Sequence, residues 1–163
     1  MADTRDILID WLRDAHAMER ASVDNLEHQV DHLGAYPDLK LKYQEQIELT
    51  KRQTDRIDNQ LKALGSDAST LKDTMLRIAG QAQALLAGIS DDEVVKQAAS
   101  TLAYENWEIA NFRALAAAAE HENEPALKTL FEDMAREKAD MAAWLSDRIP
   151  DLTRRYLDQR ATG

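Results

Sequence analysis

Cysteine is absent from this chain, glycine occurs five times, proline three times, and aromatic residues make up 6%. The missing cysteine excludes disulfides and thiolate metal sites, and it fits a reducing, cytoplasmic location. The scarcity of glycine and proline, set against abundant Ala, Leu, Asp, Glu, Lys and Gln, predicts an all-helical fold. No apolar run approaches the ~18 residues of a membrane-spanning helix, and the opening MADTRD lacks the apolar stretch of a secretory leader. A net charge of −10 argues against nucleic acid and anionic membrane surfaces as partners. What is present is 44% hydrophobic and 31% charged over 163 residues, which is expected to form a single domain, 1–163, with a full core.

Punctuation along the chain divides it into helices. Asp3 or Thr4 can cap a first helix over 4–33, closed by Gly34. A second runs over 39–64 and stops at Gly65. A shorter segment over 70–87 carries Met75, Ile78, Ala82 and Leu85 on one face and ends at Gly88; it reads as a crossover. Ser90-Asp91-Asp92-Glu93 has the form of a capping box and opens a third long helix over 91–120. Pro125 suits the first turn of a fourth over 125–148, expected to end before Pro150 and to be followed by a short helix from Asp151 to Gln159. Four long helices with one long connection predict a ferritin-like four-helix bundle with a helical crossover between its second and third members.

Each apolar stripe but one is interrupted by an acid. On the first helix Leu8, Leu12, Ala15, Ser22, Leu26, Val30 and Leu33 share a face, and Glu19 falls in its middle. On the third long helix Val94, Ala98, Leu102, Ile109, Phe112, Ala116 and Ala119 form the stripe, with Glu105 at its centre and Glu108 one turn on. On the fourth, Leu130, Met134, Met141 and Trp144 place Glu137 centrally and Asp140 at the edge. The second helix differs: Leu39, Tyr43, Ile47, Ile57 and Leu61 are accompanied by Gln46, Thr50, Gln53 and Thr54, while Glu45 and Glu48 point away. A buried, unpaired carboxylate costs several kcal/mol or takes up a proton. Several at one depth therefore require cations or protons among them.

Inward glutamates with a histidine one turn away are how ferritin-like bundles hold two iron or manganese ions, through hard oxygen and borderline nitrogen ligands. The candidate metal ligands are Glu19, Glu105, Glu108 and Glu137, with His16 and Asp140 as extras. His16 reads more readily as a half-buried histidine bonded to a neighbouring helix than as a ligand. His28 and His32 are predicted to face solvent, and His121 sits at a helix exit where a cation suits the dipole. Glu19-Arg20-Ala21 followed by Leu26, and Glu108-Ile109-Ala110 followed by Leu115, repeat the pattern E-x-A-x-x-x-x-L; internal symmetry and chance explain it equally well. Helical spacing assigns Trp11 and Trp144 to the core and leaves Trp107 for an interface.

The stretches DWLRDAHAMER at 10–20, AYPDLK at 35–40, SDDEVVK at 90–96, YENWEIANF at 104–112 and EKADMAAWL at 137–145 resemble the YciE/YciF-type family of bacterial stress-associated ferritin-like proteins, most nearly its YciE branch. The resemblance spans essentially the whole chain. It implies a ferritin-like bundle, a homodimer and a dinuclear iron or manganese centre without an established reaction. Glu19, Glu105, Glu108 and Glu137 match family glutamates. The family's second-helix H-x-x-E-T is Gln46-Ile47-Glu48-Leu49-Thr50 here, the histidine it often carries after the first glutamate of the third long helix is Asn106, and the second glutamate of its fourth-helix motif is Lys138. These departures leave three states of the centre open: one metal, a weak site, or an empty polar core held by shared protons. Three functions follow: a metal-binding stress-response protein with an incomplete site, a non-catalytic helical stress protein that acts by dimerisation or partner association, or a plain structural helical dimer.

Overall fold

The computed structural model describes residues 3–66 and 71–162. Among them it contains five helices and no strand: α1 (Thr4–Val30), α2 (Pro37–Ala63), α3 (Leu71–Leu86), α4 (Val94–His121) and α5 (Pro125–Ala161). The expected start of the crossover at Thr70, and most of the link before it, lie outside the described residues. No helix in the described part is long and apolar enough to cross a membrane.

Helix ends follow local chemistry. Gly65, at φ +75°, closes α2 while the Ser66 amide donates to the Leu61 carbonyl at 2.9 Å. Asn123 does the same for α4 at φ +56°, with the Glu124 amide donating to the Ala119 carbonyl at 2.9 Å. Asn tolerates this conformation, so α4 ends without a glycine. The Ser90–Glu93 box forms in part: the Ser90 amide donates to Glu93 Oε2 at 3.0 Å, and α4 begins at Val94, three residues later than expected.

The largest departure from expectation is α5. It runs unbroken through Pro150, where the sequence suggested a stop and a separate last helix. Proline removes one N–H and strands the Ser146 carbonyl, but both residues are exposed, so water can satisfy it. Tertiary contacts hold the continuation. Leu145 and Leu152 are buried on either side of the proline. Tyr36 Oη donates to Gln159 at 2.8 Å, and Arg155 pairs with Asp38 at 2.9 Å.

α1 packs along α2, and α4 along α5, while α3 lies against α1 and α4. Two apolar clusters result. One gathers Leu8, Leu12, Ile57, Leu61, Phe112 and Phe131. The other gathers Leu26, Leu39, Tyr43, Ala98, Met141 and Leu145. Each long helix enters both clusters, and the residues between them are polar.

Candidate functional site

The polar layer is buried. Glu19, Glu105 and Glu108 are at most 1% exposed, as are Thr50, Gln53 and Lys138. α1 supplies Glu19 and α4 supplies Glu105 and Glu108, each from the centre of its apolar stripe, as the helical spacing predicts. α5 supplies a lysine. Its buried residues Leu127, Phe131, Met134, Lys138, Met141 and Leu145 alternate by four and three, so the line of deepest burial passes through Lys138. The stripe expected from Leu130, Met134, Met141 and Trp144 runs one position away, through Glu137, and omits Phe131 and Leu145. These two bulky side chains turn the buried line by one position, onto Lys138.

Lys138 Nζ lies 3.2 Å from Glu19 Oε1 and 3.1 Å from Glu108 Oε2, and donates to Thr50 Oγ1 at 3.2 Å. An ammonium has three protons, and three oxygens surround it. Gln46 Nε2 makes a long hydrogen bond to Glu105 Oε2, at 3.5 Å. Glu105 therefore shares the lysine's field without touching it.

Three carboxylates meet one ammonium, so they cannot all ionise. Burial raises the Glu19 pKa, with Lys138 opposing. Burial raises Glu108 well above the usual carboxylate range, again against Lys138, and the charges of Glu19 and Glu105 push it further up. Burial lifts Glu105 to about 7, moderated by Lys138. For Lys138 burial alone would favour the neutral amine; Glu108, Glu19 and Glu105 outweigh it, and its pKa rises. As ionised carboxylates, Glu19 and Glu108 leave buried oxygens without a hydrogen-bond donor among the described residues. A proton held between them supplies the missing donor. The centre is an ammonium beside three acids whose burial favours shared protons, with Glu105 losing its proton near neutral pH.

Other expected ligands lie elsewhere. Glu137 is at the rim, with 35% of its side chain exposed; Gln53 Nε2 donates to it at 2.6 Å and Arg56 approaches to 3.7 Å. Asp140 is exposed. His16 is buried, but on another side of α1, where it borders a groove with Arg20, Asp24, Lys51, Asp55 and Asp58. Burial lowers its pKa, with Asp58 pulling the other way. Glu48 is exposed, as expected from its position opposite the stripe of α2. Trp11, assigned to the core, is 42% exposed, whereas Trp107 packs against the first apolar cluster with its ring edge on Tyr104.

The family described as "Domain of unknown function (DUF892)" matches residues 3–158. The fold is similar to that of a protein from Xanthomonas campestris pv. campestris str. ATCC 33913, at TM-score 0.84 and 28% identity, covering 98% of this chain and 99% of that one. It is also similar to YcfI of Rhodopseudomonas palustris, at TM-score 0.75 and 22% identity, covering 89% and 94% of the two chains. An archaeal Dps homologue from Halobacterium salinarum matches at TM-score 0.74 and 19% identity, covering 91% of this chain and 82% of that one. These likenesses show that the all-helical fold of this chain is shared with the Dps homologue.

Proposed function

Because this chain belongs to the DUF892 family, whose description assigns no activity, we propose a function from the site itself: a ferritin-like protein whose centre is closed by its own ammonium and which acts by association. In this reading the four long helices form the ferritin-like bundle and α3 is its crossover. The observation that carries the proposal is the position of Lys138 Nζ between Glu19 and Glu108. A dinuclear iron or manganese centre needs acidic or imidazole ligands from all four helices. Here α2 brings Gln46, Thr50 and Gln53 to the layer, and α5 brings a cation with no lone pair to give. The residues present fit an internal ion pair better than two metal ions, and no redox step is derived from them.

The convergence of Glu19, Glu105 and Glu108 is what favours the competing reading, a weak iron or manganese site in a stress-response protein. That reading requires Lys138 to withdraw. Association, as a homodimer, is supported by Ile7 and Trp11, one turn apart on α1 and 38% and 42% exposed.

Metal content and melting distinguish the two. Protein purified without chelators should carry no stoichiometric iron or manganese, and Mn²⁺ should leave its melting midpoint unchanged. Lys138→Glu restores the acid that the family resemblance places there, and its midpoint should rise with Mn²⁺ by linkage. Stoichiometric metal in the wild type that is lost in Glu19→Gln would overturn the proposal.

A further inference from the structure

A second cluster of ligating side chains lies far from the polar centre in chemistry and exposure. His28, in the last turn of α1, and His32, in the turn after it, are four residues apart. Asp91 comes from the turn between α3 and α4. One ligand atom from each lies within 4.8 Å of both others. His28 Nε2 is 3.2 Å from Asp91 Oδ1, and His32 Nε2 is 3.6 Å from Asp91 Oδ2.

We propose that His28, His32 and Asp91 bind one divalent transition-metal ion of the zinc class, clamping the end of α1 to the turn before α4. Tetrahedral zinc with bonds of 2.0–2.2 Å sets its ligands about 3.4 Å apart. The two nitrogen–oxygen separations bracket that spacing, so the side chains can close on an ion with small rotations. Two imidazoles and one carboxylate suit Zn²⁺, Ni²⁺ or Cu²⁺, and the Irving–Williams order places Mn²⁺ and Fe²⁺ well behind them. This preference is opposite to that of an all-carboxylate centre.

The turn that carries Asp91 is tied down on both sides. Ser90 and Glu93 flank it in the partial capping box, and the Glu93 amide donates to the Ser90 carbonyl at 3.0 Å. The next residue, Asp92, pairs with Arg160 near the end of α5. The two imidazoles stand edge to face with centroids 5.1 Å apart. All three ligand side chains are between 38% and 60% exposed, so a fourth position is open to water and the ion can enter from solvent. Without an ion the same geometry serves as a pair of surface contacts, worth little by themselves. The inference is independent of Lys138.

Titration calorimetry with Zn²⁺ tests it, on the full chain. We expect one equivalent bound per chain and a higher melting midpoint. His32→Ala or Asp91→Asn should weaken binding by at least about tenfold, and the His28→Ala/His32→Ala pair should abolish it with circular dichroism unchanged. Replacement by Co²⁺ should give the visible absorption of a four-coordinate ion, lost in the same variants. Absence of Zn²⁺ binding, binding that survives the double variant, or half an equivalent per chain accompanied by dimerisation would each overturn the intramolecular site. Lys138→Met should leave Zn²⁺ binding unchanged.

Discussion

α1 and α4 bring acceptors to the middle of the molecule, and α2 and α5 bring donors. The first pair contributes Glu19, Glu105 and Glu108; the second contributes Gln46, Gln53 and Lys138, with Thr50 accepting from the lysine. All lie at the same depth between two apolar clusters, so burial is equal on both sides and chemistry is what differs. A ferritin-like metal centre has acids on every helix and imports its cations. Here half of the layer carries a covalently attached cation, and the acids opposite it are matched from within. The difference teaches that inward glutamates alone do not define a metal site; the counter-charge has to be located before a ligand set is assigned.

The sharpest way to break the comparison is to remove the cation. Lys138→Ala leaves the buried negative charge shared by Glu19 and Glu108 without its counter-ion and should cost about 3–5 kcal/mol at neutral pH, measured by chemical denaturation. Protonation of the glutamates limits the loss in acid, so the variant should recover relative to wild type as pH falls.

Next in size is the removal of surplus acid. Glu105 has a folded pKa of about 7 against an ordinary 4.5. The folded state therefore holds a proton that the unfolded state has released, and stability falls as pH rises between those values. At pH 8 the lost stability amounts to about 3 kcal/mol, and below pH 4 it vanishes. Glu105→Gln should be more stable than wild type by an amount approaching that figure at pH 8 and by little at pH 4. Equal stability of the two proteins at pH 8 would show that Glu105 ionises without strain.

Thr50→Val takes one acceptor from the ammonium while keeping the side chain's volume. It should destabilise by about 1–3 kcal/mol, the cost of leaving a buried donor unmade. The smallest effect belongs to Glu137→Gln at the rim, within about 0.5 kcal/mol, because solvent screens its contacts with Gln53 and Arg56. A larger loss there would move the rim residue into the centre's charge balance.

Most of the helical framework was legible because glycine, proline and three-four apolar spacing act locally. Glu19, Glu105 and Glu108 were found for the same reason: each is framed by buried residues one turn above and below. Lys138 is legible only as a departure from the family's pattern, since a charged side chain belongs outside unless its partners are known. Those partners sit on α1, α2 and α4, more than eighty residues away in sequence for Thr50 and over a hundred for Glu19, and no local rule brings them together. The passage of α5 through Pro150 was hidden for a similar reason. The contacts that hold it, from Tyr36 and Asp38, come from the opposite end of the chain. The proximity of Asp91 to His28 and His32 is likewise tertiary, and the histidine pair alone read as solvent-facing.

A charged lysine sealed in the middle of the molecule is visible to nitrogen-detected or nitrogen-filtered magnetic resonance of its side-chain ammonium. In ¹⁵N-lysine-labelled protein at pH 8, exposed ammonium protons exchange too fast to be seen. Lys138 should give one slowly exchanging NH₃⁺ signal, present without added metal, absent from Lys138→Met and undisturbed by Mn²⁺-free handling or Zn²⁺ addition. A spectrum with no protected ammonium, or one whose signal belongs to a neutral amine, would contradict it.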